Sequence, residues 1–259
     1  MGSGMSIARL FGRSEERPAH APARVPEGTR VYAIGDIHGQ LDQLRALEAK
    51  IAADAVAAEA QRRVIVYLGD YVDRGQDSAG TVAHLLEGPP EGFEAVHLIG
   101  NHEAMMLEFL EDPESGGTWL RNGGDSTLAS YGVDLAETPD AGSRLRHLGR
   151  RFAEAVPTAH RRFLEGLARR HEEGGYLFVH AGVRPGVALD AQDPDDLIWI
   201  RYPFLQSKAD FGKVVVHGHT PEPEPVERDN RFGIDTGAVY GGHLTALVLD
   251  GAEHRYLQA

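Results

Sequence analysis

The chain contains no cysteine. This excludes disulfides, zinc ribbons and thiol nucleophiles, and it restricts any metal site to His, Asp, Glu, Asn or backbone oxygen, a set suited to hard or borderline divalent ions. No apolar run approaches the roughly 20 residues of a membrane span. The first residues also lack the apolar stretch of a signal peptide. The expectation is a cytoplasmic protein with no membrane partner. Positive charge is in deficit: 26 Lys and Arg stand against 39 Asp and Glu, a formal net charge of -13. That balance repels nucleic-acid backbones at long range, so no nucleic-acid polymer is expected as a partner and phosphate recognition must be local.

What the chain does have is length and apolar content: 259 residues, 42% hydrophobic, suffice for one large domain. "MGSG" before Met5 reads as a cloning remnant. "GRSEERPAHAPARVPEG", Gly12 to Gly28, is rich in Pro, Ala and charge without apolar periodicity. Residues 1–29 are therefore expected to be remnant and flexible arm, and 30–259 a single domain.

From Arg30 onward short apolar runs alternate with helical patterns. "RVYAIG" reads as a buried strand, followed by a helix with Leu41, Leu44, Leu47 and Ile51 in register. "RVIVYLG" precedes a helix near Ser78 to Leu86, and "EAVHLIG" precedes one from about Glu103 to Leu110. This β-α-β-α-β order predicts parallel strands with helical crossovers. The middle of the chain, about 113–172, reads as a helical insertion. Strands then return in "YLFVH" and "KVVVHGH", and "RFGIDTG" and "HLTALVLD" alternate like antiparallel strands.

Each of the first three strands ends in glycine followed by a carboxylate or amide: Gly35-Asp36, Gly69-Asp70, Gly100-Asn101. They lie one βαβ unit apart, roughly 30 residues, so their ends converge where open α/β sheets bind ligands. "GDIHG" adds His38, "YLFVHAG" delivers His180 and "VVVHGHT" delivers His219. Any one of these taken alone reads more simply as a turn, cap or packed residue. Six at successive strand ends do not. Asp36, His38, Asp70, Asn101, His180 and His219 are the predicted oxygen and imidazole donors of a divalent site, suited to manganese, iron or zinc better than to magnesium. His97, His217 and His243 read as structural; of these, His217, two before His219 and on its face of the strand, is the one placed to line a pocket. Gly123 and Gly124 are expected to serve a turn or close packing, and the Leu, Met and Phe residues after Glu103 to be core.

"GDIHG", "GDYVDRG", "GNHE", "HAG" and "GHTP", in this order, resemble the phosphoprotein phosphatase branch of the calcineurin-like metallophosphoesterases, from about Val31 to Asp250. The resemblance implies an α/β (α+β) fold, a central mixed β-sandwich flanked by helices. It implies two divalent ions, manganese first with iron or zinc as alternatives. Asp36, His38 and Asp70 would hold one ion; Asp70, Asn101, His180 and His219 the other. It also implies His102 as general acid oriented by Asp73, and phosphate binding by Arg74, Asn101 and Arg201. "HAG" in place of the eukaryotic "HGG" makes the chain similar to the bacterial and bacteriophage group. The implied activity is a serine/threonine protein phosphatase, extending to phosphotyrosine and small phosphomonoesters, with no obligate regulatory subunit. The alternative is a symmetrical dinucleoside tetraphosphatase or other nucleotide pyrophosphohydrolase. His38, where those enzymes usually carry Gln, favours the monoesterase.

Overall fold

The computed structural model describes residues 23–56, 60–136 and 143–259. Residues 1–22, which include the stretches expected to be remnant and most of the expected arm, lie outside these. The end of the arm is not loose: Val25 is buried, its N–H donates to the Gly251 carbonyl, and the Arg24 carbonyl accepts from Gly175 N–H. The fold therefore begins several residues before Arg30.

Strands β1 (Thr29–Ile34), β2 (Arg62–Tyr67) and β3 (Glu94–His97) alternate with helices α1 (Leu41–Val56), α2 (Ser78–Glu87) and α3 (Asn101–Glu111). β1 and β2 are parallel, as are β2 and β3, so the crossover prediction holds. Helices α4 (Gly116–Trp119), α5 (Asp125–Ser130), α6 (Arg144–Ala155) and α7 (Thr158–Glu165) fill the middle of the chain. The helical stretch ends at Glu165, because Arg170–Glu173 forms strand β4, a charged edge segment without apolar alternation. There follow β5 (Tyr176–Val179), α8 (Asp196–Trp199), β6 (Val214–His217), β7 (Val226–Arg228), β8 (Arg231–Gly233), β9 (Thr245–Asp250) and β10 (Glu253–Gln258).

Two mixed five-stranded sheets result, in the orders β10-β9-β1-β2-β3 and β4-β5-β6-β8-β7. β9 runs antiparallel to β1, as its alternation suggests, but β8 is parallel to β6 and antiparallel only to the short β7. Val31, Ala33, Val64, Val66, Leu247 and Leu249 of the first sheet meet Tyr176, Phe178, Val216 and Phe232 of the second in one apolar layer. On its other face the first sheet buries Tyr32, Ile34 and Tyr67 beneath the helices, with Leu44, Leu47, Met106 and Phe109. The helical Met and Phe residues after Glu103 are thus core, as expected. A third layer, including Val215, Leu197, Ile198 and Phe204, covers the outside of the second sheet. β1 is buried on both faces, which explains its unbroken apolar run. No described helix is long and apolar enough to cross a membrane.

Candidate functional site

In the first sheet Ile34 pairs with Tyr67 and Tyr67 with His97, so the three parallel strands end level. Their following residues, Asp36, Asp70 and Asn101, are each at most 4% exposed. In the second sheet β5, β6 and β8 are parallel and deliver His180, His219 and Asp235 to the same end. Backbone approaches are close here. A Cβ on Gly100 would lie 2.1 Å from Asp70 Oδ1, and one on Gly218 would lie 2.0 Å from Asp36 Oδ1, so neither position accepts a side chain. Among the described residues five non-glycine residues have positive φ, between 46° and 74°: His38, Asp70, Asp73, Arg74 and His219. All five belong to the predicted site.

The ligand atoms of Asp70, His180 and His219 lie within 4.8 Å of one another, as do those of His38, Asp70 and His102. Asp70 is common to both sets. Asp36 stands outside them: its two oxygens each accept from the His219 backbone N–H at 3.1 Å. The His38 ring bonds to the Val72 carbonyl through Nδ1 at 2.8 Å, and the His180 ring to that of Leu68 at 2.9 Å. Both Nε2 atoms are thereby turned inward, the arrangement of metal-ligating imidazoles. His180 Nε2 faces Asn101 Oδ1 at 3.0 Å and Asp70 Oδ1 at 3.4 Å. Burial opposes its protonation, but Asp70, Asp36 and Glu103 outweigh burial and raise its pKa to about 10. Burial lowers His38 to about 3 and, with His180, lowers His219 to about 2, leaving both as neutral donors.

These residues fit a divalent pair. His219 Nε2 is buried without a hydrogen-bond partner. Burial and the neighbouring Asp235 carboxylate push Asp36 well above the usual carboxylate range. Positive charge among these oxygens and imidazole nitrogens would answer both defects.

Beside the cluster, His102 and Asp73 are almost fully buried and bonded, Nδ1 to Oδ2, at 2.6 Å. Trp119 Nε1 donates to the same oxygen at 2.8 Å, and Thr127 Oγ1 to the other at 2.6 Å. Burial alone would lower the His102 pKa; Asp70 and Asp73 outweigh it and raise it. His102 Nε2 lies 3.9 Å from Asp70. The Arg74 guanidinium contacts the His38 ring at 2.5 Å, and its backbone N–H donates to the Gly123 carbonyl. Arg201 is exposed and donates to the His219 carbonyl at 3.2 Å. Both cationic groups thus border the cluster and contact neutral partners there. Gly124 packs against the Trp119 ring.

Four residues of this site carried no assignment in the sequence reading. Glu103 is fully buried and accepts backbone N–H bonds from Gly100, Asp70, Tyr71 and Val72, tying the Asp70 turn to α3. Its position three residues after the Gly100 N-cap is a capping-box signal. Asp235 follows an apolar strand, the same pattern that marked Asp36 and Asp70, but the antiparallel reading of "RFGIDTG" pointed it elsewhere. Trp119 opens "WLRNGG", a stretch that lies within the family resemblance but suggested no role, and Thr127 has no local signal. His217 is buried and lines a neighbouring cavity to which none of the predicted metal ligands contributes.

The profile of the calcineurin-like phosphoesterase family matches residues 29–245. The serine/threonine-protein phosphatase 1 of Salmonella typhimurium is 31% identical over 220 residues, covering 83% of this chain and 89% of that protein. The asymmetrical bis(5'-nucleosyl)-tetraphosphatase PrpE of Bacillus thuringiensis is 27% identical over 232 residues, covering 83% and 88%. The crystal structure of a cold-active protein-tyrosine phosphatase from a psychrophilic Shewanella superposes with a TM-score of 0.58 at 17% identity, covering 91% of this chain and 83% of that one. The level strand ends, the buried imidazole and carboxylate cluster and these likenesses agree, and the chain belongs to the calcineurin-like phosphoesterase family, a metallophosphoesterase and hence a hydrolase.

Proposed function

We propose that this enzyme is a phosphomonoesterase acting on phosphoserine and phosphothreonine in proteins or peptides. The observation that carries the reading is the buried His102–Asp73 pair set beside the Asp70-centred cluster. A serine alkoxide is a poor leaving group and needs a proton. An imidazole whose pKa Asp70 and Asp73 raise against burial, with Nε2 directed toward the cluster, is placed to give one. The 31% identical Salmonella phosphatase supports the same substrate class.

In this reading Asp36, His38 and Asp70 would hold one divalent ion, and Asp70, Asn101, His180 and His219 would hold the other, with manganese as the first candidate. When bound, such a pair supplies Lewis acidity toward phosphoryl oxygens and lowers the pKa of water. Arg74 and Arg201, with the Asn101 amide, hold the non-bridging oxygens through charge-assisted bonds and place phosphorus over the cluster. Asp73, fixed by Trp119 and Thr127, keeps the His102 ring oriented at Nδ1, and His102 passes the Nε2 proton to the departing oxygen. The described residues from Ala23 onward act as one catalytic unit, and the helices between Gly116 and Ser130 contribute Trp119 and Thr127 to the support of Asp73.

The second reading is hydrolysis of a dinucleoside tetraphosphate, favoured by the PrpE likeness. Turnover of phosphoserine and phosphothreonine peptides should be measured beside that of dinucleoside tetraphosphates, with the manganese-loaded enzyme. A kcat/KM at least about tenfold higher on peptides is expected. The reverse order would replace the first reading by the second, and the nucleotides released would tell symmetrical from asymmetrical cleavage.

A further inference from the structure

On the outward side of the second sheet, away from the layer between the sheets, lies a cavity of about 280 Å³. Its floor includes His217 from β6 and Arg231 from β8; Arg228 of β7 and Glu222 stand at its sides, with Tyr202 and Thr220. Two of these are chain neighbours of residues at the reaction centre. Tyr202 follows Arg201 and Thr220 follows His219, and Arg201 itself donates to the His219 carbonyl.

Arg231 is the unusual member. It is only 6% exposed, yet its polar contacts are to neutral groups: Nη2 donates to the Leu205 carbonyl at 2.8 Å, and the guanidinium lies 5.9 Å from the Phe204 ring centroid. Nε has no hydrogen-bond partner, and neither has Nε2 of His217, which is 2% exposed. A buried guanidinium is costly unless a negative group answers it. The nearby charges answer it only in part: Arg228 adds a second cation, and Glu222, which lines the cavity, favours the charged guanidinium without forming an ion pair with it among the described residues. Burial, followed by Arg228, outweighs Glu222 and lowers the Arg231 pKa.

We propose that this cavity is an oxyanion subsite, in which Arg231 and Arg228 bind a carboxylate or phosphoryl group. Its volume lies below the roughly 300 Å³ at which pockets for drug-sized ligands begin, so the occupant is small. Two sources carry this chemistry: a free phosphate ion, or an acidic side chain flanking the phosphorylated residue of a substrate. Thr220 and the Tyr202 hydroxyl supply further polar contacts, and the Leu205 carbonyl holds the Arg231 fork in place.

The test has two arms. In the first, inorganic phosphate is titrated into the full-length zinc-loaded enzyme while the arginine Nε–H signals are followed by NMR. Arg231 should shift along a saturating curve distinct from that of Arg201 at the reaction centre. In the second, kcat/KM is compared for phosphoserine peptides carrying Glu or Gln beside the phosphoresidue. If the occupant is borne by the substrate, the Glu peptide should be favoured by about tenfold, as expected for a charge-assisted pair. Arg231→Met should erase that preference while leaving the rate on the Gln peptide unchanged. Arg228→Gln, at an exposed position that does not threaten folding, should reduce it severalfold. A saturating Arg231 shift without peptide discrimination assigns the subsite to the free ion. If the Arg231 signal stays fixed while Arg201 moves, and neither variant alters peptide preference, the proposal is overturned and Arg231 serves only to pin the Phe204–Gln206 turn. The first arm reads binding alone, so it stands or falls separately from the protein-phosphatase reading.

Discussion

Asp73 holds His102 by a 2.6 Å bond between two side chains that are each at most 1% exposed. The pair is rigid because the carboxylate is itself fixed by an indole and a hydroxyl. Its value should depend on the leaving group. His102→Asn should cost roughly 100 to 10,000-fold on a phosphoserine peptide and much less on 4-nitrophenyl phosphate, whose phenolate departs without a proton. Both rates are to be taken at matched metal occupancy with chemistry limiting. Equal proportional losses would mean that His102 orients substrate instead of donating a proton.

Asp70 is the group common to both sets of candidate ligands. Burial opposes its ionisation, but the imidazoles of His180, His102 and His38 outweigh that and hold its pKa well below the usual carboxylate range. Asp70→Asn should therefore lower metal content, measured by elemental analysis after gel filtration, as well as abolish turnover. A variant that retains two equivalents of metal and near-normal activity would remove Asp70 from the bridging position.

Arg74 and Arg201 approach the cluster from different segments, one beside the His38 ring and one against the His219 carbonyl. Replacing either by Ala removes charge-assisted bonds to the phosphoryl group, so each should weaken inhibition by inorganic phosphate by about tenfold and reduce kcat/KM by at least as much. If phosphate inhibition is unchanged in both variants, neither arginine touches the anion.

His97 offers a stability test remote from catalysis. It stacks on Tyr67 at a centroid distance of 4.8 Å, and burial lowers its pKa to about 4. An unfolded histidine titrates near 6.5, so between those values the unfolded chain binds the extra proton. The contribution is complete above the unfolded value and is lost as pH falls toward the folded one, up to about 2 kcal/mol between pH 7 and pH 5. Urea midpoints at the two pH values should converge in His97→Phe relative to the parent protein. An identical pH dependence in both proteins would show that His97 titrates in the fold as it does in the unfolded chain.

The legible parts of the sequence were those where a strand is buried on both faces. β1, β2, β5 and β6 read as unbroken apolar runs closed by glycine or histidine, and the parallel order of β1, β2 and β3 followed from the helices between them, whereas that of β5 and β6 had no such helical pattern to signal it. β4, β7 and β10 escaped notice because edge strands carry charge on their exposed side: "RHEE", "VER" and "EHRYLQ" have no apolar period. Asp235 was lost with the direction of β8, since only the pairing with β6 turns its end toward the cluster. The two groups that fix Asp73 sit 46 and 54 residues away from it, so no window of sequence contains the arrangement.

The five positive-φ residues bear on whether this chemistry could be transplanted. An L-residue in that region costs roughly 1 to 2 kcal/mol, and His38, Asp70, Asp73, Arg74 and His219 all sit there. Together the cost rivals the net stability of a typical domain, about 5 to 15 kcal/mol. A peptide bearing "GDYVDRG" would relax into ordinary turns, and the motif grafted onto another scaffold would carry the side chains without their directions. The motifs name the site, but the two sheets hold it in shape; heredity can move the letters from one protein to another only by moving the whole sandwich with them.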